Sequence, residues 1–225
     1  VNEGGRTKKA TVTWLALFAA ISLLGGAAVA GEFGPVKLPE PQTDGGKPLM
    51  QALKLRATSR EFSPDPLPDQ TLSNLLWAAW GINRPADGKR TAPSARNFQE
   101  IDVIVVRADG AYLYDAASNA LKPLAAGDHR PLTGTQPFVK DAPVTLVYVA
   151  DRTRVKAGSA PSDDSWSWAD AGFVSQNVYL FCASEGLATG VRALIDRPAL
   201  AKALGLGEGK LILMAQCVGY PKSRK

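Results

Sequence analysis

The stretch SWSWADAGFVSQNVYLFCASE, residues 165–185, decides how the rest of the chain is read. Ala171, Val174, Val178, Leu180, Phe181 and Ala183 sit in a long helix that begins near Ser165 and stops at Gly186. Its apolar positions occupy much more than one face, the pattern of a helix enclosed by its own fold or by a second subunit. Upstream, the run from Val144 to Val149 behind Pro143 is continuously apolar, as a central strand is, and Ile101 to Val106 reads as another β-branched strand. Asp109-Gly110 turns that strand toward a hairpin partner, Tyr112-Leu113-Tyr114. Downstream, Asp196 and Pro198 start a short helix through Leu200 and Leu204, and Leu211 to Val218 forms a last strand. Near the start, Leu72, Leu75, Leu76, Ala79 and Trp80 mark an amphipathic helix between Asp69 and Gly81, and a shorter one follows Pro48. Helices and strands interleave irregularly without an internal repeat, so one α+β domain over residues 48–225 is expected.

Composition removes several function classes. With 225 residues, 45% hydrophobic and 21% charged, the chain can bury one substantial core. Two cysteines and a single histidine leave no disulfide framework, no His/Cys metal cage and no Ser/His nucleophile system. Cys182 and Cys217 lie in apolar segments and are expected to be free and buried. His129, in Gly-Asp-His-Arg-Pro, reads as a solvent-exposed structural residue. Gly205, Gly207 and Gly209 lack the Lys-Ser/Thr ending of a phosphate loop and read as a turn, and Asp163-Asp164 suit the start of the long helix as capping and dipole partners.

The formal charge of +5 also has a local explanation. Arg6, Lys8 and Lys9 precede an apolar run from Val12 to Leu24, followed by Gly25-Gly26 and Ala28-Val29-Ala30, the three-part pattern of a secretory signal over residues 1–30. An uncleaved membrane anchor is the alternative for the same segment. Its removal subtracts three basic residues and one acidic one, leaving about +3 and no reason to expect nucleic acid. A periplasmic or secreted location follows as the expectation, with the Pro- and Gly-rich residues 31–47 as a linker or surface arm.

What remains for chemistry is a set of anion-binding and hydrogen-bonding residues. Arg56, Thr58 and Arg60 lie near the start, Pro93-Ser94-Ala95-Arg96-Asn97 in the middle, and Lys222-Ser223-Arg224 at the end. Guanidinium and ammonium groups with a hydroxyl between them suit a phosphate, and each cluster taken alone is equally a solvated surface.

Taken together and in order, these segments resemble the flavin-dependent nitroreductase family. The matching pieces are Leu55-Arg56-Ala57-Thr58-Ser59-Arg60-Glu61-Phe62, Leu72 to Gly81, Ala92-Pro93-Ser94-Ala95-Arg96-Asn97-Phe98-Gln99, Asp141-Ala142-Pro143, Asp170-Ala171-Gly172 with Ser175-Gln176-Asn177, Gly186-Leu187-Ala188-Thr189 and Val218-Gly219-Tyr220-Pro221. The run Trp77 to Arg84 looks most like the branch related to peptide-azoline dehydrogenases.

The resemblance implies a central mixed or antiparallel sheet flanked by helices, in a homodimer with FMN at the interface. It places Arg56, Ala57 and Thr58 at the FMN phosphate and ribityl chain, and Arg60 at the pyrimidine edge, where a guanidinium would stabilise the charge of the reduced ring. Pro93, Ser94, Ala95 and Asn97 correspond to the loop that the second subunit lays against the ring. Val191, Ala193 and Leu194 correspond to the segment that covers one ring face and offers an amide to N5. Lys222 and Arg224 correspond to the Lys-x-Arg that finishes the phosphate site. Ala95 and Ala193 replace Ser and Glu found in many bacterial nitroreductases, so their substrate preference is not carried over. The activity implied is ping-pong hydride transfer through flavin N5 to a small acceptor, with NAD(P)H as the family's usual donor and no catalytic side chain. An exported flavin-binding or interaction protein with the same fold and no turnover is the alternative.

Overall fold

The computed structural model describes residue 1, residues 33–158 and residues 164–222. Apart from its first residue, the expected export segment lies outside the described residues, as do Asp163, Ser223 and Arg224. In chain order the elements are β1 (Val36–Lys37), α1 (Leu49–Leu55), α2 (Asp69–Trp80), β2 (Ile82–Arg84), β3 (Lys89–Arg90), β4 (Ile101–Val106), β5 (Gly110–Asp115), β6 (Ala120–Ala126), β7 (Val144–Asp151), α3 (Ser165–Glu185), β8 (Ala188–Arg192), α4 (Arg197–Ala203) and β9 (Lys210–Gly219).

Seven strands form one sheet in the order β1-β6-β5-β4-β7-β9-β8, and every neighbouring pair is antiparallel. The expected α+β architecture is therefore present, with the antiparallel form of the sheet. The pleat sorts the apolar strands into two cores. Val103 and Val105 of β4, with Leu146 and Tyr148 of β7, face α2 and α3 and pack with Leu72, Leu75, Leu76, Val174 and Val178. Ile104 and Val106, with Val147 and Val149, face the other way and pack with Leu200 and Leu204 around α4. Helices on both faces explain why β7 carries no polar alternation: all eight of its residues are buried. Each fully buried leucine of α2 contributes roughly 2 kcal/mol from apolar transfer before entropy is subtracted.

The ends of α3 differ in how they meet expectation. Gly186 closes the helix with φ 70, and the Leu187 amide reaches back to the Cys182 carbonyl at 2.8 Å, the left-handed stop that glycine permits. At the other end Asp164 makes no side-chain cap. Its carboxylate instead accepts from Nε of Arg152 at 2.9 Å in a two-pronged ion pair, because the helix starts from a left-handed residue whose side chain is turned away from the first-turn amides. Asp196 does cap α4, accepting from the Ala199 amide at 3.1 Å.

Several segments carry structure that the sequence did not announce. The mixed region after Leu121 holds β6, in which Pro123 sits opposite Tyr112 at a register shift. Residues 82–99 hold the β2–β3 hairpin. The arm from residue 33 is fixed to the sheet: β1 pairs with β6, and Leu38 enters the main core. His129 is half-buried, its Nε2 3.0 Å from the Ala126 carbonyl, rather than fully exposed. Both cysteines are free and buried. No helix among the described residues is long and apolar enough to cross a membrane, and none of their His, Cys, Asp and Glu residues group into a metal site.

Candidate active site

The first basic segment leaves α1 and runs along β8. Arg56 ends α1, its amide bonded to the Ala52 carbonyl, and the next residues are extended. The Ser59 amide then donates to the Thr189 carbonyl at 2.8 Å. Gly190 is required by this approach: a Cβ there would stand 2.7 Å from the Ser59 carbonyl oxygen and 3.4 Å from Thr58 Cγ2. Farther on, Phe62 bridges Pro221 and the Ser63 amide donates to the Tyr220 carbonyl at 2.9 Å, which brings the end of the described chain alongside. Lys222 follows Pro221 directly and is exposed.

Tyr179 of α3 joins these pieces. Its hydroxyl lies 2.9 Å from Thr58 Oγ1 and accepts the Val191 amide at 3.0 Å, while the Arg56 guanidinium sits 5.4 Å from its ring centroid. The structure thus brings the segment of Arg56, Ala57, Thr58 and Arg60 alongside β8 with Val191, and the chain end that leads to Lys222 alongside Phe62. Ala193 and Leu194 continue from β8 and are exposed, Leu194 at 62%. Arg56, Ala57, Thr58 and Arg60 are exposed too, so the cradle opens outward from a single subunit. No carboxylate among the described residues forms an ion pair with Arg56, Arg60 or Lys222. Two guanidiniums, an ammonium and a hydroxyl without a local counter-anion are the donor set that a phosphate monoester fits.

The Pro93–Asn97 loop is elsewhere. It is tied to α3 at Asp170, whose Oδ2 accepts the Ala95 amide at 2.8 Å. Asp170 precedes Tyr179 by nine residues, a rise of roughly 13 Å along the helix. Within one chain, therefore, this loop does not reach the Arg56 cradle. Its backbone is unusual: Arg96, Asn97 and Gln99 have φ of 50, 57 and 51. Ser94 Oγ accepting the Gln99 amide at 3.0 Å and Arg90 Nε donating to Gln99 Oε1 at 2.8 Å hold that shape. Asp170 is buried beside the equally buried Glu100. Burial first, then the adjoining Glu100 carboxyl, push the Asp170 carboxyl up to about 6 against the pull of the Ala95 amide.

Tyr179 and Gly190 are residues that sequence reasoning did not single out, and Asp170 stood there only within a matching segment, without a role. Tyr179 passes for one more large residue of an apolar helix, and only the fold reveals a hydroxyl shared between Thr58 and Val191. Gly190 was detectable as a glycine inside an otherwise strand-like run. Trp77 to Arg84, the run resembling peptide-azoline dehydrogenases, forms the last turn of α2 and β2.

Comparison with known proteins identifies the family and the fold. Residues 53–220 match the model of the nitroreductase family, described as "Nitroreductase family". A crystal structure of a candidate nitroreductase from Ralstonia eutropha is 42% identical and superimposes with a TM-score of 0.80, covering 84% of this chain and 90% of that one. A candidate nitroreductase of Methanocaldococcus jannaschii is 29% identical over 177 residues, 74% of this chain and 88% of its own length. The NADPH:FMN oxidoreductase of Vibrio harveyi, solved with NAD+, shares the fold at 19% identity, with a TM-score of 0.57 over 78% of this chain and 69% of that chain. Fold and family match define a flavin oxidoreductase class. The chain belongs to the nitroreductase family.

Proposed function

We propose that this protein is an FMN-dependent oxidoreductase that works as a homodimer and reduces a small organic acceptor. The observation that carries the reading is that the Arg56–Arg60 segment runs along β8 with the chain end before Lys222 beside Phe62, its cations without a carboxylate partner among the described residues. When bound, FMN would supply two-electron transfer at N5. Arg56, Thr58 and Lys222 would hold its phosphate and ribityl chain, with Arg224 beyond the described residues, and Arg60 would lie toward the pyrimidine edge. Val191, Ala193 and Leu194 would cover one face of the ring.

The second subunit enters through two features. The Pro93–Asn97 loop is separated along α3 from the Arg56 cradle of its own chain, so a paired arrangement, in which each subunit's loop completes the other's site, uses both. In addition, α3 leaves Trp168 36% and Phe173 47% exposed, and α1 exposes Leu49 at 62% and Met50 at 75%, an apolar surface of the sort an obligate dimer covers.

NAD(P)H is the donor expected for the family, and a substrate of the peptide-azoline type is one choice of small molecule. Export to the periplasm or beyond, from the basic-apolar-small pattern of residues 6–30, belongs to the same proposal and is checked by the N-terminal sequence of the mature protein. The decisive experiment on function is to add FMN to purified protein, record its visible spectrum, then mix anaerobically with NADH or NADPH. A flavin spectrum that bleaches is the expected result. No retained flavin removes the cofactor, and flavin that neither nucleotide reduces favours a binding protein without turnover or another donor.

A further inference from the structure

Glu100 and Asp170 are 1% and 2% exposed, and the Glu100 carboxyl lies close enough to raise that of Asp170. Two ionised carboxylates this close, out of water and with no ion pair to a cation among the described residues, repel strongly, so a proton between them is the stable arrangement. Glu100 Oε2 is buried and has no hydrogen-bond partner among the described residues, so a proton on the neighbouring Asp170 carboxyl would satisfy it. The other oxygen of Asp170, Oδ2, accepts the Ala95 amide.

Apart from Lys156, which lines a cavity with Glu100, the surrounding charges are engaged elsewhere. Arg96 of the loop lies over the Trp166 ring at 5.7 Å. Arg152 is paired with Asp164, and Asp102 of β4 with Arg154 and Lys210. Asp69 of α2 pairs with Arg107, Arg192 of β8 donates to Cys217 and Thr133, and Arg56 beside α1 faces Tyr179. Lys54 of α1 belongs to that helix's last turn, and Glu185 lies at the opposite end of α3. Glu100 also lines a cavity of about 360 Å³ with Phe98, Lys156 and Trp166, a route by which protons exchange with solvent.

We propose that Asp170, backed by Glu100, is the positioning residue of the Pro93–Asn97 loop: one proton shared by the two carboxyl groups fixes the acceptor of the Ala95 amide and thereby the loop's flavin-facing shape. The link to flavin rests on the functional reading above; the link between the carboxyl pair and the loop does not. Opening the loop admits water to Asp170 and returns its carboxyl to ordinary carboxylate behaviour. Protonation of Asp170 therefore favours the closed loop, and closure weakens as pH rises through its titration.

The test measures FMN affinity by fluorescence titration from about pH 5 to about pH 8, spanning the ordinary and raised carboxyl ranges, on the full chain and on Asp170→Asn, Glu100→Gln and Asp170→Ala. The wild type should lose about tenfold in affinity across that range, the equivalent of one hydrogen bond of the stronger kind. Asp170→Asn and Glu100→Gln each mimic the protonated pair and should bind like the low-pH wild type, without that step. Their curves also isolate the pair from the phosphate of FMN, which titrates in the same region. Asp170→Ala should bind weakly throughout. Amide exchange at Ala95, measured without flavin below pH 6, should be about tenfold faster in Asp170→Ala than in wild type and near the wild-type rate in Asp170→Asn. A step of opposite sign, a step that survives in both isosteric variants, or unchanged Ala95 exchange in Asp170→Ala overturns the proposal. If wild type binds no FMN at any pH, the functional reading fails and the exchange measurement alone decides the role of Asp170.

Discussion

Thr58 and Tyr179 meet through their hydroxyls at 2.9 Å although 121 residues separate them in the chain. The same phenol accepts the Val191 amide, so one oxygen fixes the spacing between the Arg56–Arg60 segment and β8. Tyr179→Phe keeps the ring and removes that oxygen. It should lower stability by about 1–2 kcal/mol, the cost of leaving a half-buried amide unpaired, and should weaken FMN binding as well. Chemical denaturation and flavin titration check the two effects; wild-type values in both would deny Tyr179 its organising role.

Arg56 offers a charge without a competing carboxylate. Arg56→Ala should weaken FMN binding by about 1–3 kcal/mol, the range of a charge-assisted hydrogen bond, while changing thermal stability little because the side chain is exposed. Isothermal titration with FMN and with riboflavin separates phosphate recognition from ring recognition. Equal losses for both ligands would place Arg56 away from the phosphate.

Gly190 is the steric counterpart. Its missing Cβ would stand 2.7 Å from a backbone oxygen, so Gly190→Ala forces the Ser59 backbone away from β8. A destabilisation of about 1–3 kcal/mol is expected from such crowding. Weaker FMN binding should accompany it, and a midpoint equal to wild type in a denaturant titration would show that the segment yields freely.

Acid acts on a different part of the molecule. Lys210 bridges Asp102 at 2.7 Å and Asp151 at 2.8 Å at one end of β4, β7 and β9. Burial raises the Asp151 carboxyl, but hydrogen bonds from Lys210 and Thr153 outweigh it and hold the group at about 2. Because the folded value is depressed, its stabilisation is complete above the unfolded value near 3.8 and is lost as pH falls toward about 2. Lys210→Met should therefore flatten the acid limb of the stability curve, measured as melting temperature against pH. An unaltered limb would assign acid unfolding to other carboxylates.

The elements with strong periodicity were legible in the sequence. The bounds of α3 at Ser165 and Glu185, the strand Ile101–Val106 and the apolar β7 follow from spacing, because burial on both sheet faces leaves an unmistakable run. β6 was hidden by Pro123 and by an alternation that leaves Lys122 and Leu124 exposed; β8 was hidden by Gly190 and its brevity. For the site, the residue types of Arg56, Thr58 and Arg60 suggested an anion, and their place in an ordered set of segments suggested the family. Tyr179 and Asp170 were not visible as site residues, since their roles depend on partners 121 and 75 positions away.

The bond from Ser59 to Thr189 has a consequence for the behaviour of the protein at high concentration. β8 is the last strand on its side of the sheet, and an uncovered last strand is a template on which other chains add. The Thr58–Arg60 segment occupies part of that position and sets charged side chains around it. A chain in which this segment is displaced would thus present a sticky border to its neighbours, so damage to the Thr58–Arg60 segment should appear first as precipitation.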